Sequence, residues 1–335
     1  ERIHEALDQA FVIGEEELFV RASIGIATHE GDQLDDELMR NADTAMYAAK
    51  AAGKGRHQVF HPVMHDDAKR RLQLTGDLRR AVDRNEFSVD YQPLVDLANG
   101  RVLGAEALVR WEHPTYGRIP PIDFISLAEE TGFINAIGDF VLGEACRQAR
   151  VWQDTGTGPT YVSVNLSPRQ FRPPGALVAQ VKRHTADAGL DPSCLLLEIT
   201  ESVLMNDREG AARDLQTLRD LGVRVAIDDF GTGYSSLTYL RDFPIDIVKM
   251  DRSFVRELGN GRADDALVRS VVELGDALNM QIVAEGIEEV EQLDSLRGLH
   301  CAIGQGYFFS RPVSGDALTE ILRTGEHRPA APPQA

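Results

Sequence analysis

At 335 residues the chain is long enough for one large domain and a small one. Its 43% hydrophobic and 26% charged residues are ordinary for a soluble globular protein. A net charge of -18 sets the surface against nucleic-acid polymers and anionic membranes, and an anionic small substrate would need cations to mask the local field.

No apolar run approaches the ~20 residues of a membrane span, so no membrane contact is expected from this segment. The start carries no signal-peptide pattern. It begins at Glu1 rather than Met, and a fragment or processed chain is expected. Cys146, Cys194 and Cys301 lie far apart, without metal-type spacing. They read as thiols in a reducing, cytoplasmic setting.

Residues 1–61 form a short first unit. A helix is expected over Glu1–Gln9 and a strand over Leu18–Ala27, LFVRASIGIA. Asp35–Ala52 has helical apolar spacing at Leu38, Ala42, Ala45, Met46 and Ala49, and Gly53 and Gly55 end it. So short a unit is marginal alone. SIGIA followed by NADTAMYAAKAAGKGRHQVF resembles the C-terminal third of GGDEF domains, the diguanylate cyclase fold. That family's signature turn is absent from the chain, and its metal and nucleotide residues would lie upstream of Glu1. The unit is read as a structural remnant with no cyclase residue. A polar connector is expected over 62–68, then an amphipathic helix over Lys69–Arg84.

From Phe87 the pattern changes. Phe87–Leu97 and Arg101–Trp111 are strand-like, and Asn99-Gly100 between them signals a hairpin. Helices follow near Pro121–Glu130 and Ile134–Gln153. Strands at 161–167, 194–200, 224–230, 245–251, 281–287 and near 301–309 then alternate with helices near 175–188, 208–220, 235–242, 263–278, 288–296 and 315–323. Near-continuous apolar strands in βα repeats mean a parallel sheet covered by helices. The six units and the hairpin give eight strands, which favours a closed α/β barrel of the TIM type over an open sheet. No Gly-x-Gly-x-x-Gly turn opens the first unit. The barrel is expected over 69–325, and the Pro/Ala-rich tail, 326–335, as disordered.

Barrel enzymes keep their chemistry at the C-terminal ends of the strands. Here those ends carry Glu106, Asn165, Glu198, Asp228 with Asp229, Lys249 with Asp251, Glu285 and Gln305. So many acids on one rim are unfavourable without bound cations. Strand alternation puts Asp228 and Asp229 on opposite sides, unless the strand has already ended. Such a pair suits one aspartate bridging two metals and its neighbour binding one. Alone, it would read as one helix-capping and one solvated aspartate. Oxygen ligands suit Mg²⁺ or Mn²⁺, not zinc. Two hard ions about 3.5–4 Å apart are the usual device for hydrolysing a phosphodiester. Lys249 is read either as holding the attacking water or a phosphate oxygen, or as an ion pair with Asp251 or another rim acid. Glu285 is read either as orienting or deprotonating the water or as capping the next helix.

The stretch YQPLVDLANGRVLGAEALVRW, with Glu106-Ala107-Leu108, resembles the opening of the EAL domain family, the cyclic-di-GMP phosphodiesterases. SVNLSP, LEITES, DDFGTGYSSL, IVKMD, AEGIE and GQGYFFSRP follow in order, so the resemblance runs over about residues 69–323. It implies a barrel with an antiparallel first strand and hydrolysis of cyclic-di-GMP to linear pGpG with Mg²⁺ or Mn²⁺. It implies that Glu106, Asn165, Glu198 and Asp228 hold one metal, and that Asp228 bridges to a second beside Asp229. Lys249 and Glu285 match residues that contact and activate the water. Gln92 and Arg110 match contacts to a guanine and a phosphate, and Gln305 a polar residue at the catalytic centre. Glu201 matches a glutamate that steadies the loop Phe230–Ser236, which is intact here and in the family links the site to a dimer interface; a homodimer is therefore implied. Ser126 and Phe140 stand where Pro and Trp are expected. The alternative is a barrel that binds the dinucleotide without cleaving it.

Overall fold

The computed structural model describes residues 2–7, 11–13, 16–18, 22–29, 35–51, 55–156, 159–206, 208–231, 243–258 and 262–324. The chain divides into two compact units, Glu1–Asp77 and Leu78–Ala335.

The first unit opens with α1 (Arg2–Leu7) and the antiparallel pair β1 (Phe11–Ile13) and β2 (Glu16–Leu18). β3 (Ile24–Ile26) and β4 (His57–Val59) pair in parallel on either side of α2 (Asp35–Ala51). Asp35, Asp36 and Glu37 in the first turn of α2 complement its dipole. The helix lies directly on β3, because a Cβ on Gly25 would meet the Ala42 carbonyl. Of the single strand expected over 18–27, Leu18 ends β2 and Ile24–Ile26 form β3, with Ala22 and Ser23 irregular and 19–21 outside the described residues. The connector expected at 62–68 is helical from residue 63, as α3 runs Val63–Ala81. Pro62 suits the entry to that first turn, and His65 is tied to Asn41 Oδ1 at 2.9 Å. The polarity there belongs to the exposed side of a longer helix, not to a loop.

The second unit is the barrel. β5 (Phe87–Asp96) and β6 (Val102–His113) form the expected antiparallel hairpin, with Phe87 opposite Trp111 and Gln92 opposite Glu106. Asp96 accepts from Ala98 N at 2.8 Å, and Gly100 sits at φ 74°, so the turn closes as Asn99-Gly100 requires. A short β7 (Gly117–Ile119) extends the hairpin on the far side of β6. Next come α4 (Pro121–Thr131), α5 (Ile134–Thr155), β8 (Tyr161–Leu166), α6 (Ala176–Ala188), β9 (Leu195–Thr200), α7 (Glu201–Asn206) and α8 (Arg208–Asp220). Then β10 (Arg224–Phe230), β11 (Ile247–Met250), α9 (Arg252–Arg256), α10 (Arg262–Leu278), β12 (Gln281–Ala284), α11 (Val290–Gly298), β13 (Ile303–Gly304), β14 (Val313–Ser314) and α12 (Gly315–Thr324) complete it.

Strands β6, β8, β9, β10, β11, β12 and β13 pair in parallel in that order. β5 closes the ring antiparallel to both β6 and β13. This is the eight-stranded barrel with an inverted first strand expected from the sequence. β12 and β13 are shorter than expected, because Gly286, at φ 72°, and the run Gly304-Gln305-Gly306 break the regular ladder. The helix expected at 235–242 and the tail at 326–335 lie outside the described residues.

The barrel interior is filled by one ring of side chains: Leu94, Tyr161, Leu196, Ala226, Ile247, Val283 and Ile303, all buried. Gly104 completes the ring on β6, where a Cβ would strike the Tyr161 ring. This apolar plug is the floor of the site above it.

Candidate active site

Side chains on a strand return to the same face every second residue. Two steps toward the C-terminal rim from the plug give Glu106, Glu198, Asp228, Lys249, Glu285 and Gln305 on six parallel strands. On inverted β5, two steps back from Leu94 give Gln92. On β8 the same step reaches buried Ser163, and Asn165 stands one layer higher. The backbone ladder continues past the strand ends, with Glu285 N donating to Met250 O at 3.1 Å and Gln305 N to Ala284 O at 2.9 Å. A Cβ on Gly306 would lie 2.1 Å from Ile287 O, so only glycine lets this backbone approach and carry Gln305 into the layer.

Lys249 is the hub, 1% exposed. Its Nζ lies 2.5 Å from Glu198, 2.7 Å from Glu285, 3.3 Å from Glu106 and 3.4 Å from Asp228. Asp251 instead caps α9 through Ser253 N at 2.9 Å. The ion pair is therefore with the rim acids. Burial alone would discharge Lys249, but Glu106, Glu198, Glu285 and Asp228 together hold its pKa well above the ordinary value. Burial pushes the Glu106 carboxyl up, yet Lys249 and the hydrogen bonds from Gln305 and Asn165 outweigh it and keep Glu106 below its usual value. Those donors stand at 2.7 Å and 2.6 Å. Glu198 has Lys249 but no amide donors, and burial together with the Glu106 charge outweighs the lysine and pushes it well up. Burial, reinforced by Asp228 and Glu106 against the pull of Lys249, pushes Glu285 to about 7. The cap of α11 is Glu289, so Glu285 has no capping role.

Asp228 and Asp229 do not point to opposite sides. β10 slips by one residue against β11 between Ile227 and Phe230. Asp229 takes φ 54°, and its N–H donates to Asp228 Oδ1 at 3.0 Å. This bulge breaks the alternation and aims both carboxylates one way. Asp228, Asp229 and Glu285 each offer an oxygen within 4.8 Å of the others. A cavity of about 430 Å³ opens here, lined by Gln92, Glu106, Leu108, Asp229, Lys249 and Tyr307 among others. A cavity of about 460 Å³ at the strands' other end carries, among the described residues, only Arg219 and Asp246 as charged lining.

Gln92 is engaged at both ends, accepting from Gln305 at 3.0 Å and donating to Ser310 O at 3.1 Å. Arg110 stands four residues beyond Glu106 on the same face of β6, held by Asp90 at 2.9 Å. Glu201 opens α7, directly after β9. The loop it was expected to steady lies, from residue 232, outside the described residues.

The EAL domain family model matches residues 75–312. The chain belongs to the EAL domain family. A shorter match, to the diguanylate cyclase GGDEF domain, covers residues 1–56, so an EAL domain follows a GGDEF fragment. MucR of Pseudomonas aeruginosa, named a bifunctional diguanylate cyclase/cyclic di-GMP phosphodiesterase, is 44% identical over 319 residues, 95% of this chain and 46% of that protein. NbdA of the same organism, named a cyclic di-GMP phosphodiesterase, is 38% identical over 334 residues, 99% of this chain and 42% of that protein. The chain thus spans less than half the length of these relatives. The solved structure described as PaMucR phosphodiesterase in a c-di-GMP complex superposes with a TM-score of 0.70 at 46% identity, covering 73% of this chain and 99% of that one. The EAL enzyme Bd1971, bound to cAMP and cyclic-di-GMP, superposes with a TM-score of 0.72 at 33% identity over 76% of this chain and 69% of that one.

The donor set of this EAL domain fits a hard divalent cation. Glu198 Oε1 is buried without a hydrogen-bond partner among the described residues. The clustered oxygens of Asp228, Asp229 and Glu285 carry more negative charge than Lys249 alone balances, which a divalent cation would offset. Glu285 enters this cluster, a placement that strand spacing did not separate from its role toward water. Among the described residues no helix is long and apolar enough to cross a membrane.

Proposed function

We propose that the EAL domain hydrolyses cyclic-di-GMP to linear pGpG, with Mg²⁺ or Mn²⁺ at its rim acids. The observation that carries this reading is one buried lysine shared by four strand-end carboxylates, beneath an open cavity, with a carboxylate oxygen left unpaired among the described residues. Glu106, Asn165, Glu198, Asp228 and Asp229 would hold the cations, which when bound supply Lewis acidity to a phosphoryl oxygen and acidify water. Hydrolysis adds one water across one phosphodiester, and a 5′-phosphate product requires the P–O3′ bond to break. Glu285 faces the same cavity and takes the proton from the attacking water. Lys249 stays charged and balances the negative charge that grows on the phosphate. Gln305 and Asn165 keep Glu106 ionised and fixed through their hydrogen bonds.

Purified protein incubated with cyclic-di-GMP and analysed by chromatography tests this. The expected result is pGpG with Mg²⁺ or Mn²⁺ and none with EDTA. Binding without product in either metal would leave a receptor, and turnover in EDTA would remove the cation from the mechanism. Glu285→Gln keeps an oxygen and the shape, so metal binding is expected to survive while turnover falls by roughly 10²–10⁴. Full turnover in that variant would exclude Glu285 as the base.

A further inference from the structure

The lip formed by β5, β6 and β7 carries a second charge network, which the proposed chemistry does not use. Asp90, 6% exposed, lies two residues along β5 from Gln92 on the same face. Its Oδ2 accepts from Arg110 Nε and from Arg118 Nη1, each at 2.9 Å. Arg118 Nε also donates to Glu112 at 2.6 Å. A buried carboxylate with two guanidinium donors is well compensated, and so is a fixed point.

Arg110 is fixed a second time, because its Nη1 donates to Val109 O at 2.9 Å. A guanidinium has five N–H donors in a rigid plane. With Nε and one Nη1 hydrogen spent, the remaining Nη1 hydrogen and one on Nη2 form an end-on fork. Such a fork matches two oxygens of a phosphate. Glu106, Leu108 and Arg110 share one face of β6, and Glu106 and Leu108 line the cavity. Along β6, Arg110 is the next charged group outward from Glu106, on the strand face that borders the cavity.

From this geometry we infer that Asp90 is a positioning residue: it holds the Arg110 guanidinium so that its free fork meets a phosphate of the dinucleotide. The inference rests on the proposed phosphodiesterase site. Alone, Asp90 would cancel the charge of Arg110. Shared with Arg118, whose other partner is Glu112, it belongs to a network of two guanidiniums and two carboxylates that is neutral overall, so the network supplies aim to Arg110 rather than net attraction.

Asp90→Asn keeps the shape and removes the charge that two guanidiniums share. The expected result is a KM for cyclic-di-GMP raised about tenfold with kcat within twofold. In an Arg110→Ala background the same change is expected to move KM less than twofold, because nothing remains to be aimed. Arg118→Ala is expected not to raise KM. If the lip acted only through net charge, Asp90→Asn would lower KM and Arg118→Ala would raise it, and the inference would fall. An equal effect of Asp90→Asn with and without Arg110 would also overturn it, as it would make Asp90 merely structural. Should Asp90→Asn not fold, Asp90→Glu, which shifts the carboxylate by one methylene, is read in the same cycle. Should the protein bind without cleaving, the cycle is read on Kd by calorimetry in EDTA. Coupling there keeps the positioning role while the hydrolytic reading fails, and no coupling ends it.

Discussion

Replacing Asp228 with alanine is expected to lower cyclic-di-GMP turnover by on the order of 10³-fold or more, without unfolding the barrel. The two halves of that expectation have different causes. Asp228 is partly exposed and shares one lysine with Glu106, Glu198 and Glu285. Removing it relieves repulsion, so the metal-free melting temperature should hold or rise. The same change removes one carboxylate from the Asp228, Asp229 and Glu285 oxygen cluster and, on the proposed reading, a cation ligand. Mn²⁺ is expected to raise the melting temperature of the parent, and that rise should shrink in the variant along with the turnover. Glu106→Ala should silence turnover too, but less informatively. It strands donors from Lys249, Gln305 and Asn165, so lost stability would mix with lost chemistry. Wild-type turnover in Asp228→Ala would exclude Asp228 as a ligand and with it the cation site as drawn.

The barrel was legible because its signals are local and periodic. Apolar strands alternate with helices, and Asn99-Gly100 marks the inverted hairpin. The layer of rim residues follows from strand period alone, since each stands two positions beyond a plug residue. The relation of Asp228 to Asp229 was not legible. A one-residue bulge resets side-chain direction, and its cause, a positive φ at Asp229, is a tertiary outcome. Nor did the sequence separate a paired Lys249 from a water-holding one, because that needs the strand order around the ring. Asp90 went unread although a signal existed. It interrupts an apolar strand, and hairpin register sets it diagonal to Arg110, with Ser88 opposite Arg110 and Asp90 opposite Leu108. The start of α3 was misread because polar residues on an exposed helical face look like a connector.

Lys249→Met is expected to cost the metal-free protein about 3–5 kcal/mol, the range for breaking a buried charge pair from one side. For a domain of this size that is a fall in melting temperature on the order of 10 °C. Methionine fills the space, so the loss is electrostatic rather than a cavity. Four carboxylates then face one another with no cation, and they answer by binding protons. Glu198 is already held well above its usual value and Glu285 near 7 while the lysine is present. Both shifts should grow without it. A carboxyl raised in the folded state binds its proton better there than in the unfolded chain. Its charged form therefore opposes folding, and stability falls as pH rises through the folded value. In EDTA the variant should lose more stability at pH 8 than at pH 6. Manganese should restore more of it than it adds to the parent, since a divalent ion replaces the missing charge. Turnover should stay low even then, because the ion restores the charge but not the ammonium beneath the phosphate. A variant as stable as the parent at pH 8 in EDTA would show that Lys249 does not neutralise the ring.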